Sequence, residues 1–398
     1  MTSSLAGATQ EEVRRHNLGR LLRILHLGGP VSRADITRLT GLNRSTVGAL
    51  TTDLARAGLA VERDPVGRGV GRPSIMVTPH ESGAFALAFD LRVERTIAAV
   101  VSLGGAVASR REARHTNRDP DPEAVFRQLE RLTAELLADA PAGAVCLGVG
   151  LAIPGVVRHS DGLVRFAPNM GWVDVPVAAM LEARIPGAGP IVVGNDADMG
   201  AIAEHLRGVG RGSANMVFLA GQVGVGGGII LDGRLMVGAG GYGGEVGHMV
   251  VNPGGRRCRC GRRGCWETEI GEEAVVRALG GQPGDPVDAL LAEVPSAAEA
   301  GRLGEIGRWL GIGVGNLVNV FNPDVVVCGG LLSKLLPLVA DQVRDELEAA
   351  LTAPREQVRL ALPGMDRDAA LIGAAESVFA PLLDDPIGCV ERVRERAA

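Results

Sequence analysis

The chain has 398 residues, 46% hydrophobic and 22% charged, which is enough apolar mass for two or three packed domains and too much for a disordered polymer. Its formal net charge of -5 is uneven: residues 1–80 hold eleven Arg against six acidic residues (+5), and the remainder holds 30 basic against 40 acidic residues (-10). No apolar run approaches the ~20 residues of a membrane span, and the polar start M-T-S-S-L-A-G-A-T-Q-E-E lacks a signal-peptide core, so a cytoplasmic protein without a membrane partner is expected.

Residues 1–80 read as a basic head for an anionic partner. Val13, Leu18, Leu21, Leu22 and Leu25 recur at helical spacing over Glu11–Leu27, and Gly28-Gly29-Pro30 ends that helix. Ser32 caps a second helix, Arg33–Thr40, with Asp35 at its third position. After the turn Gly41-Leu42-Asn43, a third helix runs from Arg44 to Ala57, with Val47, Leu50 and Leu54 inward. Its start carries Asn43, Arg44, Ser45 and Thr46, residue types that contact base edges and phosphates. Leu59–Arg63 and Ser74–Thr78 follow as a β-ribbon, whose tip holds Arg68 and Arg72. A plain three-helix bundle shares the helical pattern. The ribbon directly after it favours a winged helix-turn-helix that binds operator DNA.

Residues 81–195 open with three short strands, Phe85–Asp90, Thr96–Leu103 and Ala106–Arg111, then a helix over Asp121–Ala138 with Phe126, Leu129, Leu132, Leu136 and Leu137 inward. A strongly apolar strand, Ala144–Ile153, ends at Pro154-Gly155. This order is that of an α/β lobe of the two-lobed actin-like, hexokinase-like (ribonuclease H-like) fold. Phosphate-binding hairpins of that fold need glycines for close backbone approach. Leu91-Arg92-Val93-Glu94-Arg95 has none, and Glu94 would repel phosphate. Asn169, in the loop before Gly171-Trp172, suits a sugar hydroxyl and equally suits a structural turn. Pro190–Val193 forms a strand leading to Asn195-Asp196; Asp196 suits a general base or the N-cap of a helix over 197–207.

The second lobe, residues 196–368, begins with strands Asn215–Ala220 and Gly228–Leu231 around Gly221–Gly228. A dinucleotide fingerprint would lead into a helix; this glycine run leads into a strand and is a hairpin. Gly238–His248 is a glycine-rich loop presenting Glu245 and His248. Next comes Cys258-x-Cys260-x4-Cys265, ten residues beyond His248. Three thiolates and an imidazole make a closed tetrahedral zinc set, and closure leaves no position for a reacting water, so the zinc is expected to be structural. Helices are expected at Trp266–Ile270, around Ala289–Leu291, at 301–321 and at Leu335–Leu351, and strands at Val325–Cys328 and Val358–Leu362. A closing helix at about 369–383 is expected to pack back on the first lobe, before a frayed charged tail, 384–398.

These residues resemble the ROK family of repressors and sugar kinases. The resemblance rests on Glu245-x-x-His248 with Cys258-x-Cys260-Gly-x-x-Gly-Cys265-x-Glu267, supported by Asn169-x-Gly-Trp172, Asn195-Asp196, Gly224–Gly228 and Gly329-Gly330. It implies that Asn169, Asn195, Asp196, Glu245, His248 and Glu267 bind a sugar, and that Asp196 matches the catalytic base of the kinase branch. The head and its Gly-Arg-Pro tip resemble the repressor branch, and the residues at 91–95 depart from the kinases. The reading is a sugar-responsive transcriptional repressor, not an enzyme, working as a homodimer or homotetramer on operator DNA. The rival readings are an active ATP-dependent sugar kinase with a DNA-binding head, and a regulator that senses a protein partner or phosphorylated metabolite.

Overall fold

The computed structural model describes residues 9–64, 74–115, 120–293 and 301–397. In the head, α1 (Gln10–Gly28) starts at a Thr9–Glu12 capping box and stops where Gly29 takes a positive φ of 74°. Ser32 caps α2 (Arg33–Thr40) by accepting from the Asp35 N–H, and Gly41 closes it in the left-handed region. Asn43 caps α3 (Arg44–Arg56). Strands β2 (Ala60–Arg63) and β3 (Met76–Pro79) pair antiparallel, and a two-residue strand absent from the sequence reading, β1 (Val31–Ser32), adds to the far side of β3. The ribbon tip with Arg68 and Arg72 lies outside the described residues.

The first lobe is a five-stranded sheet in the order β11-β7-β4-β5-β6. Strands β4 (Ala84–Leu91), β5 (Arg95–Ser102) and β6 (Val107–Arg114) form an antiparallel meander, and β7 (Val145–Ile153) and β11 (Ile191–Asn195) run parallel to β4. All eight residues of β4 are buried, as expected of a central strand covered on both faces. One cover is α4 (Pro122–Asp139), through Phe126, Leu129 and Leu132. A small sheet of β8 (Val156–Arg158), β9 (Leu163–Ala167) and β10 (Trp172–Pro176), followed by α5 (Val177–Arg184), was not visible as regular pattern. Two residues assigned inward are exposed instead, Val13 by 48% and Leu137 by 40%, because each sits at the margin of its helix's apolar stripe.

The second lobe is another five-stranded sheet, β14-β13-β12-β15-β16. It comprises β12 (Met216–Gly221), β13 (Val225–Leu231), β14 (Arg234–Leu235), β15 (Val325–Gly330) and β16 (Arg359–Ala361). One face holds α7 (Trp266–Ile270), α8 (Glu272–Ala278) and α10 (Gly304–Phe321), while α9 (Val287–Ala292) lies at the margin. The expected single helix 335–351 is corrected to α11 (Leu331–Leu335), a 3-10 turn at 336–338 and α12 (Ala340–Glu348); Pro337 has no N–H to continue a helix. A short α13 (Thr352–Gln357) precedes β16.

Helix α6 (Asp196–Leu206) and α14 (Ala369–Asp384) fill the space between the two sheets. They cross at Gly373, where a Cβ would come 1.7 Å from the Met199 carbonyl oxygen, so only glycine allows the approach. The expected frayed tail is corrected: α15 (Pro386–Ala397) is a helix with Cys389 and Val390 buried against the rest. Leu18, Leu21, Leu22 and Leu25 of α1 share one core with Val378, Phe379, Leu382 and Leu383 of α14. The head is therefore packed onto the body by a continuous apolar contact. No helix among the described residues is long and apolar enough to cross a membrane.

Candidate ligand cleft and metal centre

A cleft of about 500 Å³ opens between the lobes, lined by Asn169, Asn195, Asp196, Glu245, His248 and Glu267. The six residues picked from sequence thus share one wall system, although their chain positions span 169 to 267. Strand β11 delivers Asn195 and Asp196 to the floor. Asn195 is the N-cap of α6, its Oδ1 accepting from the Ala197 N–H at 2.8 Å and its Nδ2 donating to the Gly155 carbonyl at 2.7 Å. The suggested capping role for Asp196 is corrected: Asp196 is the first helical residue, and Asn195 is the cap.

That shift frees the Asp196 carboxylate to face the cleft, where Oδ2 lies 3.4 Å from Gln222 Nε2. Part of Asp196 meets solvent, yet the cleft encloses it in protein. Burial, with the charge of Asp90, pushes its carboxyl up to about 7 against the opposing backbone hydrogen bond from Ala197 and the charge of Arg92. Asp198, two residues on in α6, was missed from sequence. Burial and the charges of Glu245 and Asp196 push it up to about 8, and its buried Oδ1 finds no partner among the described residues. Glu245 is raised by burial in the same way, partly offset by His248.

The hairpin between β4 and β5 occupies the place where the resemblance would put a phosphate loop. Arg92 Nε donates to Asp90 Oδ2 at 2.7 Å, and Arg92 Nη2 donates to the Arg367 carbonyl at 2.7 Å. The site is filled by side chain rather than left as bare backbone.

The cysteine loop folds on itself through hydrogen bonds from Cys258 N to Arg262 O, Gly261 N to Cys258 O and Gly264 N to Arg256 O. Gly264 takes φ +72°, and a Cβ there would lie 1.5 Å from the Asn252 carbonyl oxygen. The donor atoms of His248, Cys258, Cys260 and Cys265 all lie within 4.8 Å of one another. Cys260 Sγ is 3.6 Å from Cys265 Sγ, and Cys258 Sγ is 3.7 Å from His248 Nδ1. Tetrahedral Zn–S bonds of ~2.3 Å imply edges of ~3.7 Å, so the set fits a zinc-sized ion. His248 turns Nδ1 toward the cysteines and Nε2 toward Glu245, 3.9 Å away. Glu267 Oε1 accepts from Cys258 Sγ at 2.9 Å, which ties this cleft carboxylate to the loop. Arg259, between two of the cysteines, donates from Nη1 to Asn169 Oδ1 at 2.6 Å and pairs with Glu273 at 3.2 Å. The sequence reading did not mark Arg259, since nothing local points an exposed arginine across a cleft.

In the head, Arg44 and Ser45 are exposed and Thr46 is half-buried at the start of α3. Asn43 Oδ1 is committed to capping, accepting from the Thr46 N–H at 2.8 Å and from Ser45 Oγ at 2.7 Å, which leaves its amide nitrogen to face outward chemistry.

The ROK family model matches residues 87–379. The "Xylose repressor" of Bacillus subtilis (strain 168) is 27% identical over 387 residues, covering 95% of this chain and 98% of the relative. The "Glucokinase" of Streptomyces coelicolor is 32% identical over 288 residues, covering 64% of this chain and 89% of the relative. Among solved structures, a ROK family transcriptional regulator homologous to the E. coli Mlc protein aligns with a TM-score of 0.76 at 24% identity, over 96% of this chain and all of that one. A ROK family glucokinase from Streptomyces griseus, in complex with glucose and AMPPNP, aligns with a TM-score of 0.62 at 27% identity, over 74% of this chain and 99% of that one. The matched family model spans most of the fold and every cleft residue described above, and the chain belongs to the ROK family.

Proposed function

We propose that the protein is a sugar-responsive, DNA-binding transcriptional repressor that does not transfer phosphate. The observation that carries this reading is the convergence of Asn169, Asn195, Asp196, Glu245, His248 and Glu267 on one cleft in a chain whose head is packed onto the same core. Two amides and three carboxylates can each take or give several hydrogen bonds to hydroxyls, the chemistry a sugar requires. The xylose repressors match the chain through its head as well as its body, at 89–95% coverage, whereas the glucokinases match only 57–67% of it. Absence of phosphoryl transfer is supported by Arg92, which packs on Asp90 where close backbone approach to phosphates is needed.

In this reading His248, Cys258, Cys260 and Cys265 hold a zinc ion, which supplies a rigid cross-link rather than a reactive water. The chain's own residues do the recognition. His248 offers Nε2 to the ligand side, and Glu267, two residues beyond Cys265 in α7, is placed by the same loop. Asn43, Arg44, Ser45, Thr46, Arg68 and Arg72 are the proposed DNA contacts. A homodimer or homotetramer would set two heads on a palindromic operator with half-sites about 34 Å, or a multiple, apart.

The test is calorimetry of the full chain against neutral hexoses and pentoses, together with fluorescence anisotropy on DNA from its own promoter region with and without each binder. One sugar that binds and changes DNA affinity supports the reading. Sugar-dependent ATP turnover in a coupled assay would replace it with the kinase reading.

A further inference from the structure

The cleft has two chemically distinct ends. Its floor carries the carboxylates Asp196, Glu245 and Glu267, while the wall made by the cysteine loop and α8 carries Arg256, Arg257, Arg259, Arg263 and Arg277 against the single carboxylate Glu273. Some exposed arginines elsewhere on the body lie against a carboxylate, as Arg131 does with Glu135 and Arg344 with Asp341, while others, Arg114, Arg127 and Arg211 among them, form no ion pair among the described residues. Among the described residues, Arg256, Arg257 and Arg263 of the cleft wall form no ion pair and donate no side-chain hydrogen bond. Arg277 is half-buried, with Nη2 donating to the Thr268 carbonyl at 3.2 Å. Burial disfavours its charge, and so does Arg256, which is close enough to repel it, against the weaker pull of Glu273 and Glu269.

Two guanidinium groups brought together in a cleft, one of them partly desolvated, leave positive charge that Glu273 and Glu269 offset only in part. Backbone hydrogen bonds of the cysteine loop, Gly264 N to Arg256 O among them, fix the backbone from which Arg256 projects, and Arg277 stands on α8. Arg259 also shows that a guanidinium from this loop reaches the sugar wall, through its 2.6 Å bond to Asn169 Oδ1. Guanidinium is the side chain suited to forked recognition of phosphate or carboxylate.

We infer that the ligand of this cleft is an anionic sugar, a sugar phosphate or a sugar acid, whose hydroxyls meet the carboxylate floor and whose anionic group meets Arg256, Arg259 and Arg277. The inference rests on the sugar-binding reading above and narrows it to a charged class. It accounts for both ends of the cleft at once, since a neutral sugar would bring no counter-charge to Arg256, whereas Arg259 already pairs with Glu273.

The experiment titrates the metal-replete full chain with D-glucose, D-xylose, D-glucose 6-phosphate, D-xylulose 5-phosphate, D-glucuronate and inorganic phosphate, by calorimetry at 50 and 500 mM NaCl. The expected result is that one anionic sugar binds at least tenfold tighter than any neutral sugar and weakens with salt. A phosphate ester in that role names the ester, and glucuronate names the acid. The double variant Arg256→Gln, Arg277→Gln should cut the preference to threefold or less. Arg256→Gln alone, on an exposed loop position, gives the same direction if the double variant fails to fold. A neutral sugar that binds as tightly as every anionic one would overturn the inference and leave the sugar reading standing. Retention of the anion preference in the variants would overturn the arginine assignment. If nothing in the panel binds, the inference and the sugar reading fall together.

Discussion

Arg207 Nε donates to Glu376 Oε1 at 2.6 Å, at the opposite end of α6 from Asp196. The same guanidinium donates from Nη1 to the Gly104 carbonyl at 3.0 Å and from Nη2 to the His26 carbonyl at 3.3 Å, while His26 Nε2 lies 2.9 Å from the other Glu376 oxygen. Gly105 leaves room for it: a Cβ there would sit 2.3 Å from Arg207 Cζ. Burial by itself would raise the Glu376 carboxyl, but hydrogen bonding and charge from His26, then Arg207, hold it below the usual range. One cluster thus joins the head, the first-lobe hairpin, α6 and α14. Removing one partner of a buried pair costs ~3–5 kcal/mol, so Arg207→Ala should lower the urea midpoint markedly, with m unchanged. In the proposed regulator its operator affinity should also respond less to ligand than that of the wild type. An unchanged midpoint would show that the cluster contributes nothing to the fold.

Metal removal is best tested at Cys260. It is exposed, whereas Cys258 and Cys265 are buried, so Cys260→Ser alters the ligand set without opening a core cavity. Bound zinc measured by mass spectrometry should fall from about one per chain to well below that, and ligand affinity should drop about tenfold or more through His248 and Glu267. Full zinc content in the variant would exclude Cys260 as a ligand.

Asp196 gives a pH signature. Its folded-state value of about 7 lies above the ordinary 3.8, so the folded chain holds this proton more tightly than the unfolded chain does. The stability it contributes is complete below pH ~4 and is lost as pH rises through about 7. The groups facing it are Asp90, Arg92, Asp198 and Gln222. Asp196→Asn removes the ionisation, so the variant should gain several degrees in Tm relative to wild type at pH 8 and a clearly smaller amount at pH 5, where the folded chain still holds the proton. Equal differences at both pH values would contradict the raised value.

Gly313 of α10 presses on the indole that follows Cys265: a Cβ there would lie 2.0 Å from Trp266 Cε2. Trp266 is fully buried, and its Nε1 donates to the Trp309 carbonyl at 2.7 Å, so it cannot retreat. Overpacking of this kind costs ~1–3 kcal/mol. Gly313→Ala should therefore lower thermal stability and loosen metal retention against a chelator, despite its distance in sequence from the cysteines.

Arg44 is exposed at the start of α3 and forms no ion pair among the described residues. Arg44→Ala should leave the body's melting unchanged. It should weaken promoter DNA by ~1–3 kcal/mol if Arg44 reads a base, or lower the salt slope by about 1 if it contacts phosphate. Unaltered affinity and slope would remove Arg44 from the interface.

Much of this was legible from residue order because local rules governed it. Gly41 to Asn43 reads as a glycine turn between two helices, and the structure ends α2 at Gly41 and begins α3 after Asn43, whose capping role the sequence reading did not assign. The cysteine spacing, with His248, foretold a cluster within 4.8 Å because a short glycine-rich loop can close only on itself. What stayed hidden depends on tertiary placement. The bond from Arg259 to Asn169 crosses 90 residues of sequence, and Glu376 meets His26 across 350. The strands between Val156 and Pro176 escaped notice because β8 is three residues long and β9–β10 mix exposed and buried positions without clean alternation. In the last helix, Cys389 and Val390 were too few to mark α15 as packed.

The apolar seam between α1 and α14 bears on how such a protein can be rebuilt. Gly19 sits where a Cβ would come 2.4 Å from the Leu383 carbonyl oxygen, so the two helices touch backbone to backbone. Cutting the chain near residue 80 would strip Leu18, Leu21, Leu22 and Leu25 from Val378, Phe379 and Leu382 and leave a sticky face on each half. A chimera that transplants this head onto a headless relative would need α14 and α15 recut to match, because the graft junction is a side-chain mosaic rather than a tether.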